Sequence, residues 1–307
     1  MFFDRVLIVY TPKVGNKKIK KRIPKINKLM KKISANEPIF YETKSVNDTH
    51  SFISENLLKK EFDVILSAGG DGLVSSVCNA LMLVPKEFRV PFLPLPMGSG
   101  NTFAADLNIK SIKGAVESIK KSSCSSKIDL LKVTANGKTF YCVNVLGAGF
   151  ITDAANLAEQ SGKKLGAFSY ILGVLKALKN MCCYKVRLFD RKGEIIFQTS
   201  KAVLISFNNN PKTGAAFNMA PDALIDDGLA DVIVLHDISR RELFSGFLKI
   251  FNGEHIFCRG CEYFQTDYVR VESEPKLALM PDGELFGTSP FELETVKDEL
   301  EVALELG

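Results

Sequence analysis

Two rhythms of apolar and polar residues alternate along the first part of the chain. Runs of strand length, "RVLIVY" from Arg5, "PIFYET" from Pro38, "FDVILSA" from Phe62 and "VPFLPLPM" from Val90, are apolar and bounded by turn or polar residues. Between them the period changes. Ile19, Ile23, Ile26, Leu29 and Ile33 recur at helical spacing, "THSFISENLLKK" reads as a helix, and Leu73, Val77 and Leu81 form a stripe that continues the pattern. A further helix starts at "TFAADL". Pro24 places itself in the first turn of its helix or at a kink. Strands alternating with helices imply a mostly parallel sheet, whose ligands bind at the strand ends.

Beyond Lys127 the pattern becomes antiparallel and β-rich. "KIDLLKVTANGKTFYCVNVLG" is a hairpin around Asn136-Gly137, and "YKVRLFDRKGEIIFQTSKAVLISFNN" repeats the style around Lys192-Gly193. "LADVIVLHDI" alternates after the turn "LIDDG". One helix interrupts the hairpins, with an apolar stripe at Leu165, Phe168, Leu172, Leu175 and Leu178 that suits either core or an acyl-chain cleft. The expected organisation is an α/β domain over residues 1–127 and a β-sandwich domain over residues 128–290.

Charge sharpens this picture. Lys and Arg crowd the segment from Lys13 to Lys32, which has no acidic residue, whereas the chain from Glu272 onward is acidic. The basic run is a solvated face over a buried stripe or a surface for nucleotide phosphates or anionic lipid headgroups. Nucleic acid is not expected, because aromatics are not interleaved with the cations and no DNA- or RNA-binding motif occurs. No window reaches the roughly 20 apolar residues of a membrane span, so any membrane contact is expected to be peripheral and transient. Seven scattered cysteines and an amino terminus that reads as a strand suggest reduced thiols in a cytoplasmic compartment. His255, Cys258 and Cys261 have ligand-like spacing, yet zinc needs a fourth ligand that the sequence does not supply; buried thiols are the expectation.

The candidate chemistry lies in two glycine loops at consecutive strand ends, "AGGDGL" with Gly69, Gly70 and Gly72, and "MGSGN" with Gly98, Ser99, Gly100 and Asn101. Glycine lets backbone approach closely, and a helix start offers unpaired N–H groups, so each loop is fit for phosphate. Asn101 also suits an N-cap. Asp71 would repel polyphosphate unless a cation lay between them. It therefore holds a Mg²⁺–nucleotide complex, helps deprotonate an acceptor, or caps its own helix. Neither loop is a Walker A motif, and "GAGFIT" at residues 147–152 lacks the third glycine of a dinucleotide fingerprint. Two acidic turns, "PDALIDDGLAD" and "LMPDGELFG", complete the set.

"SAGGDGLVSSVCNALM", "PLPMGSGNTFAADLN", "APDALIDDGLADVIVL" and "MPDGEL" follow in the order and at the spacing of the diacylglycerol kinase catalytic-domain superfamily, which the chain resembles over nearly its whole length. That superfamily includes bacterial lipid kinases, sphingosine kinases and ceramide kinases. The resemblance implies an α/β nucleotide-binding domain and a β-sandwich lipid-binding domain, with the last strands, residues 291–307, returning to the first. It implies ATP as phosphoryl donor, Mg²⁺, and a membrane lipid, diacylglycerol or a sphingoid base, as acceptor. The glycine loops with Thr11 and Lys17 then look like the nucleotide site, and Lys163 and Lys164 lie where related kinases place cations beside the nucleotide. Glu284 matches the acid treated as base for the lipid hydroxyl, with Asp282 beside it near the nucleotide. Leu224, Asp227 and Leu229 match a structural Mg²⁺ site built from two carbonyls and a carboxylate.

The chain departs from the family at Thr11, where Asn is common, at Thr102, where bacterial members commonly have Asp, and at Ser76, where sphingosine kinases have Glu. The acid that meets a sphingoid amine falls near Ala155, with Asp153 and Asn156 close. The expected mechanism is in-line phosphoryl transfer from MgATP, with Asp71 acting through the metal and Glu284 on the hydroxyl. Two alternatives stand beside it: a soluble-substrate kinase resembling NAD kinase, and a nucleotide- or lipid-binding regulator without catalysis.

Overall fold

A computed structural model describes residues 1–14, 17–160, 167–214 and 217–306. The chain forms two compact units, one from Met1–Asp129 with Asp298–Gly307 and one from Leu130–Lys297. The first is mixed α/β and the second is a β-sandwich-like unit.

In the first unit β1 (Val6–Tyr10) is buried along its whole length, as its unbroken apolar run requires of a strand covered on both faces. A short 3-10 turn over Ile19–Arg22 leads into α1 (Ile23–Met30), which starts with Pro24 in its first turn. The basic run is therefore not one long helix: Lys13–Val14 and Lys17–Lys18 pair as a short antiparallel ribbon before the turn. β2 (Ile39–Glu42) follows, then α2 (Val46–Leu58), capped by Ser45, whose hydroxyl accepts from the Asp48 N–H. β3 (Val64–Gly69) and α3 (Asp71–Met82) come next, and every residue of α3 from Leu73 on is buried. β4 (Phe92–Pro96), α4 (Thr102–Asp106) and α5 (Ile112–Lys121) complete the series.

The strands pair in parallel in the order β2–β1–β3–β4. Val302 adds a final parallel pairing to Phe92, and the Ala303 N–H donates to the Phe92 carbonyl. This returning end is held by Arg89, whose Nη1 lies 2.5 Å from Glu299 Oε1, with Lys86 Nζ 3.2 Å from the other oxygen.

The second unit is antiparallel. β5 (Ser126–Ala135) and β6 (Lys138–Cys142) pair across Asn136 and Gly137, both at positive φ, which the tight right-twisted hairpin demands. β7 (Val145–Gly149), α6 (Phe150–Gln160) and α7 (Ala167–Lys179) lead to β8 (Tyr184–Phe189), β9 (Ile195–Asn208) and β10 (Ala230–His236). After α8 (Arg240–Lys249) come β11 (Cys261–Thr266), β12 (Tyr268–Glu274), β13 (Ala278–Pro281) and β14 (Phe291–Val302), whose residues from Asp298 on belong to the first unit.

Two cores share β9 and β10. Ile205, Phe207, Val232 and Val234 face an inner core, while Val203, Leu204 and Ile233 pack against the helices with Phe150, Val174 and Leu243. The alternation expected of "LADVIVL" is thus apolar against apolar, with Ala230–Val234 all buried. Among the described residues no helix is long and apolar enough to cross a membrane.

Leu304 is 3% exposed in the returning end. Leu304→Ala is expected to cost roughly 2–5 kcal/mol of the first unit's stability, read by urea unfolding, through lost burial and a residual cavity.

Candidate functional site

In the α/β unit both glycine loops leave the sheet at one level, because Gly69 of β3 pairs with Pro96 of β4. The Gly69 carbonyl accepts from the N–H groups of Met97, at 3.0 Å, and Gly98, at 3.1 Å. The loops then touch backbone to backbone. A Cβ on Gly98 would lie 2.5 Å from the Gly70 Cα, and one on Gly100 would lie 2.5 Å from Asp71 Oδ2. Only glycine fits at these positions.

Asn101 stands at the N-cap position of α4 but does not cap it through its side chain. It adopts φ 53°, accepts from the Gly98 N–H through Oδ1 at 2.7 Å, and donates from Nδ2 to the Gly98 carbonyl at 2.9 Å. The amide closes the second loop on itself. Asp71 likewise does not cap α3, whose N-cap is Gly70. Its carboxylate reaches the start of the neighbouring α4, where Oδ1 accepts from the Phe103 N–H and Oδ2 from the Thr102 hydroxyl, both at 3.4 Å. These contacts are long, and burial outweighs them, pushing the Asp71 carboxyl above its ordinary value. Thr102 bears on this directly: its hydroxyl can donate to Asp71, where an aspartate would repel it.

Of the other residues expected at the nucleotide, Thr11 is half-buried just after β1, Ser99 is exposed on its loop and Gly72 is exposed in the first turn of α3. Lys17 lies in the short ribbon. Lys163 and Lys164 lie outside the described residues.

In the β-rich unit the turn after β13 carries Asp282 and Glu284. Asp282, at φ 46°, accepts from the N–H groups of Val143, Asn144 and Val145 at 2.8, 2.9 and 3.2 Å. Its own N–H donates to the Val145 carbonyl. Asp282 therefore clamps the start of β7. Glu284 is half-buried, and burial followed by the Asp282 charge pushes its carboxyl up.

Behind the clamp sits a polar cluster that pattern reading missed. Asn144, Asn209 and Asn210 are buried. Asn209 Nδ2 donates to the Val143 carbonyl and Asn210 Nδ2 to Asn144 Oδ1, both at 3.0 Å. The signal was available as three consecutive asparagines where "AVLISF" ends.

In the acidic turn, Asp227 Oδ1 accepts from the Leu229 N–H at 2.9 Å, and Leu224 is exposed. A carboxylate with two backbone carbonyls is an all-oxygen donor set that fits Mg²⁺. Among the described residues no three His, Cys, Asp or Glu side chains gather as a metal site, so such a site would rest largely on the backbone. Asp231 is fully buried instead, braced by the Tyr263 hydroxyl at 2.5 Å and by Gln265.

The same unit contains a pocket of about 330 Å³ between β9, β10 and the helices, lined by Phe150, Val174, Leu204, Ile233 and Phe247. Gly246 of α8 also lines it, and a Cβ there would meet nothing within 4 Å. His255 lies at its wall, with Nε2 2.9 Å from the Met219 carbonyl and Nδ1 buried without a partner. Nearby, burial pushes the Cys261 thiol up to about 12.

The family described as diacylglycerol kinase catalytic domain matches residues 5–133, and the YegS C-terminal NAD kinase beta sandwich-like domain matches residues 144–304. The diacylglycerol kinase of Staphylococcus carnosus is 27% identical over 301 residues, covering 97% of this chain and 94% of the relative. That of Bacillus subtilis is 26% identical over 307 residues, covering 98% and 96%. A crystal structure from Bacillus anthracis strain Sterne shares the fold at TM-score 0.80 and 22% identity, over 99% of both chains. With its two domain families in sequence and its glycine loops in place, the chain belongs to the diacylglycerol kinase-like lipid kinases.

Proposed function

We propose that this protein transfers the γ-phosphate of MgATP to the free hydroxyl of a diacylglycerol. The observation that carries the acceptor is the apolar pocket of the β-rich unit. Its ≈330 Å³ falls at the lower end of small-molecule pockets, and its lining suits hydrocarbon rather than a dinucleotide. Gly246 supports this reading. A glycine inside a helix costs roughly 0.5–1 kcal/mol relative to alanine, and packing does not require one here, so its effect is to keep the pocket open. The names of the full-length relatives point to the same acceptor. A sphingoid base is the second acceptor to test, since the acid that would meet its amine falls near Ala155, with Asp153 and Asn156 close by.

For the nucleotide, the reading assigns the phosphates to the two glycine loops, with Thr11, Lys17 and the lysines at 163 and 164 as further contacts. Asp71 is the residue that would hold Mg²⁺, which would neutralise phosphate charge. Asp71 is largely shielded from water, its bonds to Phe103 and Thr102 are long, and an ionised carboxylate there gains from a cation, which suits that role. Asp227 and the carbonyls of Leu224 and Leu229 would hold a second, structural ion. Glu284 would accept the hydroxyl proton, and a carboxyl raised by burial is a better base than an ordinary one. Asp282 would position it by fixing the turn. The presence of both Asp71 and Glu284 favours an enzyme over a regulator.

The primary test is ³²P transfer from ATP to dioleoylglycerol in mixed micelles, with sphingosine and NAD⁺ in parallel. Labelling of NAD⁺ alone would overturn the proposal. Asp71→Asn keeps an oxygen to accept from the Phe103 N–H, turns the Thr102 hydroxyl into the acceptor of the new amide N–H, and removes the charge. It should retain the melting temperature and lose about 10²-fold or more in kcat.

Glu284→Gln should lose about 10²–10⁴-fold. In the parent, the acid limb of kcat/KM should lie above the ordinary carboxylate range, since burial makes both Asp71 and Glu284 keep their protons to higher pH; Glu284→Gln should make that limb less steep by removing one of the two ionisations. A limb unchanged in both steepness and position would remove Glu284 from the base role. Gly246→Phe should raise KM for dioleoylglycerol by about tenfold or more while sparing dioctanoylglycerol, because it fills space that only the longer chain needs.

A further inference from the structure

Helix α8 and the turn after it expose large apolar side chains. Phe244 is 38% exposed, Leu248 57%, Phe251 46% and Phe257 84%. Phe244 and Leu248 lie one helical turn apart and share a stripe. Leu243, their neighbour, is buried in the helix-side core, so α8 has an ordinary inner face and a second, outward apolar one. The element is firmly seated: Ser239 and Glu242 form a reciprocal capping box at its start.

Cations rim this surface. Arg240, Arg241, Lys249 and Arg259 are all exposed. The acids on the same segment are Glu242, whose Oε1 lies 3.7 Å from Arg259 Nη1, and Glu254, so positive charge prevails. The surface is also continuous with the apolar pocket, because Lys249, Phe257 and Arg259 both line the pocket and face solvent. The basic run of the other unit differs. Within residues 19–33, Ile19, Ile26, Met30 and Ile33 are buried, which leaves a face able to attract anions but without large side chains to insert.

The geometry points to α8 and the turn over Glu254–Phe257 as the surface by which this protein seats itself on an anionic lipid bilayer. Leu248, Phe251 and Phe257 enter the headgroup–acyl boundary, and the four cations lie among the headgroups. Amphipathic elements bind in this way, burying an apolar face by about 5–10 Å under a cationic rim. A bilayer is the occupant that accounts for both the cations and the hydrocarbon-lined pocket opening at the same place. The inference rests on the reading of that pocket as an acyl-chain site.

The chain has no tryptophan, so Leu248→Trp creates a sole fluorescent reporter. With phosphatidylglycerol–phosphatidylcholine vesicles carrying brominated acyl chains, its emission should shift to the blue and be quenched, and salt should weaken the effect. Leu83→Trp, at a position 64% exposed in the α/β unit, serves as the reference and should stay unquenched. The double variant Phe244→Ser, Leu248→Ser should keep its melting temperature and its turnover of soluble dioctanoylglycerol, while vesicle sedimentation weakens by about tenfold or more.

Quenching at Leu248→Trp no greater than at Leu83→Trp overturns the inference. So does sedimentation of the double serine variant equal to that of the parent, or self-association in solution that protects Leu248→Trp from vesicles. The two proposals fail separately. A parent that binds vesicles through Leu248 but phosphorylates no lipid keeps the surface and loses the activity. One that phosphorylates dioctanoylglycerol with Leu248→Trp unquenched does the reverse.

Discussion

The contact on which the α/β unit's chemistry depends is the meeting of Gly70 and Gly98. Each loop leaves its strand at the same level, and the second is pinned to the first through the Gly69 carbonyl. At that distance no side chain can stand between the backbones. The consequence reaches Asp71, which follows Gly70 directly. Its carboxylate is delivered to the start of α4, against the glycine at position 100 that leaves room for it. A hydrogen bond to one's own helix start would have been the simpler fate for an N-terminal aspartate. Asp71 instead follows the N-cap Gly70 and bonds to α4, which leaves a partly desolvated carboxylate beside two loops suited to phosphate.

A comparable economy operates in the β-rich unit. β9 and β10 are covered on both sides, one core lying between strands and the other beneath the helices. Polar groups inside such strands need partners, as Asp231 has in Tyr263 and Gln265, and three asparagines follow one another where β9 ends. There the Asn209 amide donates to the Val143 carbonyl and the Asn210 amide to Asn144, and Asp282 takes three N–H groups of residues 143–145. The turn carrying Glu284 is held by this network rather than by burial of its own residues.

What could be read from the sequence follows the range of the interactions involved. The hairpin at Asn136-Gly137, the helix begun by Pro24 and the glycine loops are encoded within a few residues, and they stand where local chemistry places them. The basic run was misjudged as a single helix because its period continues through residues that the chain uses as a ribbon and a 3-10 turn. The contacts of Asn101, Asp71 and Asp282 were not legible. Each residue type suits an N-cap or a turn, and only the fold reveals a loop closed on itself, a neighbouring helix 32 residues away, or a strand 139 residues away. Asn210 is the extreme case, since its partner Asn144 lies 66 residues earlier and no periodicity links them.

The carboxylates divide by what they do for the fold. Burial alone would raise Glu299, but its bonds to Arg89 and Lys86 outweigh that and hold it low. A carboxyl lower in the folded than in the unfolded chain contributes stability that is present above the unfolded value and lost as pH falls through the folded one. Asp71 and Glu284 run the other way. Burial raises both, so the folded chain binds their protons more tightly than the unfolded chain does. Stability therefore declines as pH rises from the ordinary carboxylate range through their folded values. Below that range the site carboxyls are protonated and easily accommodated; above it they are ionised and costly. The chain is thus held together by Glu299 in the same pH range in which Asp71 and Glu284 strain it. A cation beside Asp71 would favour its ionised form and offset part of that cost.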